Sequence, residues 1–292
     1  MHRYEIRSDM KKTAFFSVCL VLLCSLQACR HKEAVNEPDP AVVEEMARLE
    51  AIENSIPAPK DYIDTIFGVP LEMVYVEGGT FTMGGIPGRD GNKIYGDEKP
   101  AHVVSLSSYY ISRYPVSQAL WEAVMGDNPS EFQDAAGPVS NVSWNETLEF
   151  CIKLSLVTRQ PYNIPTEAQW EYAARGGNQS RGSLYSGSTF LDLVACFYKS
   201  RPCSVGQYKP NELGIYDMSG GVWEWCRDWF GVYSTDTVFN PRGPEFGLHK
   251  VLRGGSWGTV AVGCRNSFRS GVEMDVRDSG IGFRVVLPTP KN

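Results

Sequence analysis

Cys264 is the residue whose sequence context most clearly suggests a reactive side chain. Arg265 follows it directly, and Arg269 comes five positions after it. Cations near a thiol lower its pKa and raise the fraction present as thiolate, which is the form that reacts and binds metal ions. Cys226 lies in an aromatic stretch, and sequence alone does not fix its distance from Cys264. Two alternatives stay open: Cys226 and Cys264 form a disulfide, or Cys264 is a free thiol.

The other cysteines of the chain suggest structural roles. Of the eight cysteines, Cys196 and Cys203 are seven positions apart around Pro202 and could close a small disulfide loop. Cys151 falls in a predicted helix beside Phe150, where we expect it to be a buried apolar side chain. Export from the cytoplasm would permit such a disulfide.

Several common functional sites are absent from the sequence. Only His102 and His249 lie beyond the N-terminal segment, which excludes a three-histidine iron or zinc site. No glycine-rich phosphate loop or C-x-x-C pair occurs. The net charge of −6 excludes a basic nucleic-acid-binding protein, so we expect no nucleic-acid partner.

Short strands and a few helices must position these residues. The chain is 42% hydrophobic, enough for a sizeable core, while its 28 glycines and 18 prolines argue against a helical bundle. Alternating apolar residues predict a hairpin of residues 71–76 and 80–83 around Gly78-Gly79, with further strands at 103–111 and 281–287. We therefore expect one α+β domain.

Capping residues predict three helices in this domain. They are expected at residues 117–125, 144–157 and 166–175. The third begins with a capping box, in which Gln169 follows Thr166 by three positions, and it ends at Gly176-Gly177. The domain is predicted to span residues 66–290, with much irregular structure after the third helix.

The first residues have the pattern of a targeting signal. Lys11 and Lys12 precede an apolar run of about 13 residues, shorter than the roughly 20 that span a bilayer. The run ends in Leu-Gln-Ala before Cys29, as in a bacterial lipoprotein signal peptide. We predict a signal peptide at residues 1–28, lipidation of Cys29, and a charged, proline-rich tether at 29–65. The predicted location is the bacterial cell envelope, anchored by lipid to a membrane that is most simply the outer one.

Several distinctive sequence blocks follow one another along the predicted domain. They are EGGTFTMG at 77–84, PVSNVSW at 138–144, PTEAQWEYAARGG at 165–177, GIYDMSGGVWEW at 214–225, RGGSW at 253–257 and GIGFR at 280–284. In content and order they resemble the blocks of formylglycine-generating enzymes, also called sulfatase-modifying factors. The resemblance covers essentially the whole predicted domain. It implies a fold related to C-type lectins, α+β with short strands, few helices and long loops.

The resemblance also implies a chemistry and its residues. These enzymes oxidise a cysteine of a sulfatase to formylglycine, using molecular oxygen and Cu(I) bound by two thiolates. Counting from the Gly-Gly-Ser block, one thiolate position is Cys264, whereas the other is Thr259. Ser256 corresponds to a serine of the family's active site, and its alternative role is that of a turn hydroxyl. Because a neutral hydroxyl is a poor ligand for a soft ion, Cu(I) binding is in question.

A calcium site is implied at a second motif. In the family, calcium is bound at the turn before Trp-Glu-Trp, and the corresponding ligands here are Asp217, Gly220, Val222 and Glu224. Two carboxylates and two backbone carbonyls are oxygen ligands that suit Ca²⁺. The alternative is that Asp217 and Glu224 are buried partners of arginines.

These observations lead to a functional hypothesis and its alternative. Because Thr259 replaces a copper-binding cysteine, we interpret the protein as a membrane-anchored, noncatalytic binding or assembly module whose ligand is a protein, peptide or glycan. The alternative is a divergent oxidase that converts a substrate cysteine to formylglycine using Cys264.

Overall fold

A computed structural model describes residues 60–289, which form short strands, three helices and long irregular connections. The strands are β1 (Tyr62–Ile66), β2 (Val69–Val76), β3 (Gly79–Met83), β4 (His102–Leu106), β5 (Tyr109–Ser112), β6 (Trp223–Trp229), β7 (Val238–Phe239), β8 (Lys250–Arg253), β9 (Arg269–Val272), β10 (Ile281–Gly282) and β11 (Val286–Pro288). The helices are α1 (Gln118–Met125), α2 (Trp144–Thr158) and α3 (Glu167–Ala174). The predicted signal peptide, Cys29 and the tether up to residue 59 lie outside the described residues.

The strands form three small sheets. The first has the order β1-β2-β5-β11, and its β5 is central, since Ile111 faces Val74 on β2 and Val286 on β11. The beginning and the end of the described chain therefore meet in one sheet. The second sheet has the order β10-β6-β8-β9, and the third has the order β3-β4-β7. This mixture of short strands and few helices confirms the predicted α+β class.

The predicted hairpin around Gly78-Gly79 is wrong. β2 pairs with β1 and β5, whereas β3 pairs with β4 in another sheet. Gly78 packs against the backbone of Leu106 and Ser108, where a Cβ atom would come within 2.8 Å of backbone atoms. The two glycines thus let the chain pass between sheets. The predicted strands at 103–111 and 281–287 are each split in the same way, into β4 and β5 and into β10 and β11.

All three helices begin where their capping residues predict. Ser117, Ser143 and Thr166 accept a hydrogen bond from a backbone N–H of the first turn, and capping boxes are completed by Glu146 and Gln169. α1 ends at Gly126 in the left-handed conformation, with φ 92°. Because capping is a local interaction, the sequence is sufficient to locate these ends.

The domain begins slightly earlier than predicted. The sequence predicts that residues 60–65 belong to the tether, yet β1 pairs with β2 along its whole length, from Tyr62 opposite Met73 to Ile66 opposite Val69. Tyr62 also contacts Tyr162 through its hydroxyl at 3.3 Å. The N-terminal strand is therefore part of the folded domain.

Buried apolar side chains fill the space between sheets and helices in three clusters. The largest joins α1 and α2 to the C-terminal strands, and in it Trp121 stacks on Phe150 while the edge of Phe283 meets both rings. A second cluster surrounds Trp170 of α3, and a small third cluster contains Cys264. No helix within residues 60–289 is both long and apolar enough to cross a bilayer.

Candidate functional site

The family-like sequence blocks meet in a buried network of charges. Arg284, from the GIGFR block, donates from Nε and Nη2 to the two carboxylate oxygens of Glu224, each at 2.7 Å. Trp170, from a third block, donates its indole N–H to Glu224 Oε2 at 2.6 Å. All three side chains are fully buried. The contacts join α3, β6 and the segment before β11.

A second part of the network surrounds Glu171 of α3. Arg175 donates to Glu171 Oε1 at 2.8 Å, and Arg253 of the RGGSW block donates to Oε2. Arg253 also donates to the carbonyls of Asn266 and Ser267. Burial raises the pKa of the Glu171 carboxyl, but the charges of Arg175 and Arg253 outweigh that effect and lower it. Glu171 is therefore held as a carboxylate.

These charges are paired with one another in the interior of the domain. A buried charge that is paired and hydrogen-bonded is tolerated, whereas removal of one partner is costly. The sequence alone does not predict roles for Glu171, Arg253 and Arg284. Their signal was present, because each lies in one of the ordered blocks, but sequence does not show which charges face each other.

Thr259, at the position where the resemblance implies a second copper-binding cysteine, is part of a closed turn. Thr259 Oγ1 lies 2.9 Å from Ser256 Oγ and accepts the N–H of Ser256 at 3.0 Å. The N–H of Thr259 donates to the carbonyl of Ser256 at 2.9 Å. Ser256 is thus a turn residue as well as the residue aligned with the family's active site, and its hydroxyl is engaged with Thr259. These hydroxyls are hard, neutral donors, so the residues present do not fit the two-thiolate Cu(I) site.

Cys264 differs from the reactive thiol that its neighbours suggest. It is fully buried, and burial raises the pKa of its thiol to about 12, although the N–H of Gly220 partly offsets this. Arg265 turns to Glu98, with an Nη2–Oε1 distance of 2.7 Å, and Arg269 donates twice to Glu167. The prediction that these cations activate Cys264 is wrong, because both guanidinium groups are paired elsewhere.

The fit of Cys264 beneath the Gly-Gly turn depends on Gly255. This glycine has φ 76°, and a Cβ atom at its position would lie 2.8 Å from Cys264 Sγ. Glycine tolerates this backbone conformation and leaves room for the sulfur. The neighbouring Gly263 packs against the methyl group of Thr259. Cys264 is therefore enclosed by the turn that contains Ser256 and Thr259.

Of the two disulfides that the sequence suggested, the structure contains one. Cys196 and Cys203 are joined by a disulfide, with their Cα atoms 6.2 Å apart. Cys226 and Cys264 are both free, and they lie in different apolar clusters. The alternative in which they form a disulfide is not the one that the structure adopts. Cys151 is free and buried on α2, as an apolar residue would be.

The residues of the predicted calcium site are only partly suited to a cation. Asp217 is buried, accepts the N–H of Gly206 at 2.7 Å, and has no ion-pair partner within residues 60–289. Burial raises the pKa of its carboxyl to about 6. Glu224, however, receives three hydrogen bonds from Arg284 and Trp170. The set formed with Gly220 and Val222 does not fit Ca²⁺ as predicted, because the charge of Glu224 is already neutralised.

Comparison with known proteins agrees with this architecture. Residues 68–289 match the model of the "Sulfatase-modifying factor enzyme 1-like domain" family. A protein named "Chaperone protein LppX" from Paenibacillus barcinonensis is 34% identical over 239 residues, which are 64% of this chain and 78% of that protein. The formylglycine-generating enzyme of Mus musculus is 32% identical over 197 residues, 60% of this chain and about half (51%) of the enzyme.

Solved structures show the same fold. "Treponema denticola variable protein 1" superposes with a TM-score of 0.71 and 30% identity, covering 79% of this chain and all of that one. The structure of PvdO from Pseudomonas aeruginosa superposes with a TM-score of 0.67 and 26% identity, covering 80% of this chain and all of that one. By its sequence match and its fold, this chain belongs to the sulfatase-modifying factor enzyme 1-like family.

Proposed function

We propose that this protein is a noncatalytic binding or assembly module of its family, held at the bacterial cell envelope by a lipid on Cys29. The observation on which the proposal rests is the hydrogen bond between Ser256 and Thr259 at the family's copper position. Two-thiolate Cu(I) ligation needs a second sulfur, which Thr259 does not provide. The remaining thiol, Cys264, is protonated at physiological pH and closed off from solvent.

The buried network gives the family's sequence blocks a structural role that does not depend on the family's chemistry. Trp170, Glu224 and Arg284 contact one another in the interior and do not face a cleft. Their presence is therefore a requirement of the fold. A domain can retain every one of these contacts and use its irregular surface to bind a protein, peptide or glycan.

The envelope location rests on the N-terminal sequence. Two acyl chains give stable anchoring, since each buried CH₂ contributes about 0.8 kcal/mol. Mass spectrometry of the N-terminal peptide from membranes tests this directly: we expect a diacylated Cys29 in the wild type and an unlipidated, uncleaved N-terminus in Cys29→Ala. An unmodified N-terminus on a membrane-free protein would contradict the anchoring.

A divergent oxidase remains the competing function. It needs a copper-binding or otherwise reactive Cys264, so a Cu(I) titration of the reduced protein against a chromogenic chelator separates the two. We expect no retention of Cu(I) by the wild type and a gain of at least tenfold in affinity in Thr259→Cys. Thr237→Cys, which adds an exposed thiol elsewhere, is the matched control. Stoichiometric Cu(I) on the wild type, lost in Cys264→Ser, would overturn the noncatalytic proposal.

A further inference from the structure

Two neighbouring clefts flank the disulfide loop, defined as residues 196–203. One has a volume of about 330 Å³ and the other about 380 Å³. Lys199 lines both. Binding pockets for small ligands begin at roughly 300 Å³, so each cleft is large enough for one or two side chains of a bound partner.

The disulfide loop is held in place by its own disulfide and by hydrogen bonds to the Ser256–Thr259 turn. The disulfide closes its base, and the N–H of Lys199 donates to the carbonyl of Trp257 at 2.7 Å. The N–H of Tyr198 donates to the carbonyl of Thr259 at 3.2 Å. The loop therefore lies against the Ser256–Thr259 turn. A surface that is ordered before binding loses little conformational entropy when a partner binds.

Tyr198 is presented to solvent by a strained backbone. Its φ is 48°, in the left-handed region that a bulky residue rarely adopts, and its side chain is 77% exposed. Strain of this kind is kept where the surrounding contacts impose it, and it is concentrated at functional sites. An exposed tyrosine on a rigid loop gives a large contact area at low entropic cost.

The two clefts differ in chemistry. The larger has aromatic walls from Phe197, Tyr198 and Tyr208, with Asp192 and Lys199 at its edges. The smaller is lined by Lys199, Arg201 and Ser204, among others. The aromatic rings of the larger cleft can pack against an apolar side chain, and the two cations of the smaller cleft can bind a hydrogen-bond acceptor with negative charge.

The charges at the smaller cleft favour an anion. Asp134 is its only carboxylate, and both oxygens of Asp134 are engaged, by the hydroxyl of Ser204 at 2.6 Å and the N–H of Ala136 at 3.1 Å. Lys199 and Arg201 are exposed, and neither makes a salt bridge to another residue in the range 60–289. In a chain with a net charge of −6, this is a local cationic site.

From this geometry, and resting on the proposed binding function, we infer that the disulfide loop binds a peptide segment of a partner protein that has a carboxylate next to an aromatic or large apolar residue. The carboxylate lies between Lys199 and Arg201 in the smaller cleft, and the adjacent apolar side chain packs against Tyr198 in the larger one. Charge-assisted hydrogen bonds to arginine and lysine give the site its preference for a carboxylate.

The test is a pair of dye-labelled peptides, Gly-Phe-Glu-Phe-Gly and Gly-Phe-Gln-Phe-Gly, titrated with the full-length protein in detergent and followed by fluorescence anisotropy. We expect saturable binding of the glutamate peptide and at least tenfold weaker binding of the glutamine peptide. Lys199→Ala/Arg201→Ala should lose at least tenfold in affinity. Arg181→Ala/Arg242→Ala, a matched pair of exposed arginines in other loops, should bind within twofold of wild type.

A second variant separates binding from folding. Tyr198→Gly removes the ring and relieves the left-handed strain, so its melting temperature should equal or exceed that of wild type while its affinity for the glutamate peptide falls at least tenfold. Absence of saturable binding, equal affinity for both peptides, or no effect of the Lys199/Arg201 change would overturn the inference. So would saturable binding of a neutral glucose oligosaccharide when neither peptide binds. The proposed noncatalytic function is tested separately, by the Cu(I) titration. Retention of Cu(I) would contradict it, and the peptide titrations do not measure Cu(I) binding.

Discussion

Ser256 Oγ and Thr259 Oγ1 lie 2.9 Å apart in a four-residue turn above Cys264. The turn is closed by a hydrogen bond from the Ser256 N–H to Thr259 Oγ1 and by one from the Thr259 N–H to the Ser256 carbonyl. The resemblance to formylglycine-generating enzymes implies a copper-binding thiolate at the position of Thr259. Here its hydroxyl has a complete set of partners within the turn. With threonine at position 259, the side chain stabilises the turn, whereas a cysteine there could bind a metal ion.

The state of the cysteines is the first consequence that can be measured. We expect iodoacetamide at pH 8 to leave Cys264 unmodified in the folded protein, because the thiol is buried and its pKa is raised to about 12. After denaturation without reduction, Cys151, Cys226 and Cys264 should be alkylated, while Cys196 and Cys203 stay linked. Peptide mass spectrometry gives the answer, and a Cys226–Cys264 crosslinked peptide would refute this arrangement.

The buried ion pair between Glu224 and Arg284 should be among the most sensitive sites for stability. Glu224→Gln leaves the Arg284 guanidinium uncompensated in the interior, and the expected cost is about 3–5 kcal/mol in the free energy of unfolding. Adding Arg284→Met should recover part of that loss. Urea denaturation measures both.

The exposed pair Lys153–Glu149 is the matched control. Its N–O distance is 3.0 Å, but both side chains are largely exposed, so Glu149→Gln should cost at most about 1 kcal/mol. Equal losses in the two glutamate variants would show that burial of the network is not what stabilises the fold.

How far the sequence predicts this structure depends on the range of the interaction. Ser117, Ser143 and Thr166 mark helix starts because a cap bonds within its own first turn. Strand partners are distant in sequence, so Gly78-Gly79 resembled a hairpin turn although it connects two sheets.

The same limit applies to the candidate site. Arg265 is adjacent to Cys264 along the chain, yet its guanidinium pairs with Glu98, which is 167 positions away. Counting from the Gly-Gly-Ser block is sufficient to show that Thr259 departs from the family pattern. Counting does not show that the Thr259 hydroxyl contacts Ser256, or that Arg284 neutralises Glu224. Both depend on three-dimensional contacts between residues.

Asp228 should make the stability of the domain depend on pH. Burial, and next the charge of Glu167, raise the pKa of its carboxyl from 3.8 to about 7. Between these values the folded state binds more protons than the unfolded state, so the stability contribution of Asp228 decreases as pH rises and stays low above 7. Asp228→Asn retains an oxygen for the N–H of Glu167.

The variant should therefore gain stability relative to wild type as pH rises. We expect the difference in melting temperature, Asn minus Asp, to be larger at pH 8 than at pH 4. Differential scanning calorimetry at the two pH values measures it. A difference that is constant or that reverses with pH would show that Asp228 is ionised at no cost in the folded state.

Calcium should not stabilise the domain through the predicted ligands. Glu224 already receives three hydrogen bonds from Arg284 and Trp170, so a cation would have to compete with an arginine for it. We expect EDTA to leave the melting temperature of protein purified without chelators unchanged. A decrease in melting temperature on addition of EDTA, absent in Asp217→Asn, would instead establish a calcium site at Asp217.

The most direct measurement is turnover by the wild-type protein itself. The reduced protein is loaded with one equivalent of Cu(I) and incubated in air with a cysteine-containing test peptide, and mass spectrometry follows conversion of the peptide thiol to an aldehyde. Because Thr259 supplies no second thiolate, we predict no conversion above that of a copper-only control. Multiple turnovers that disappear in Cys264→Ser would contradict the account.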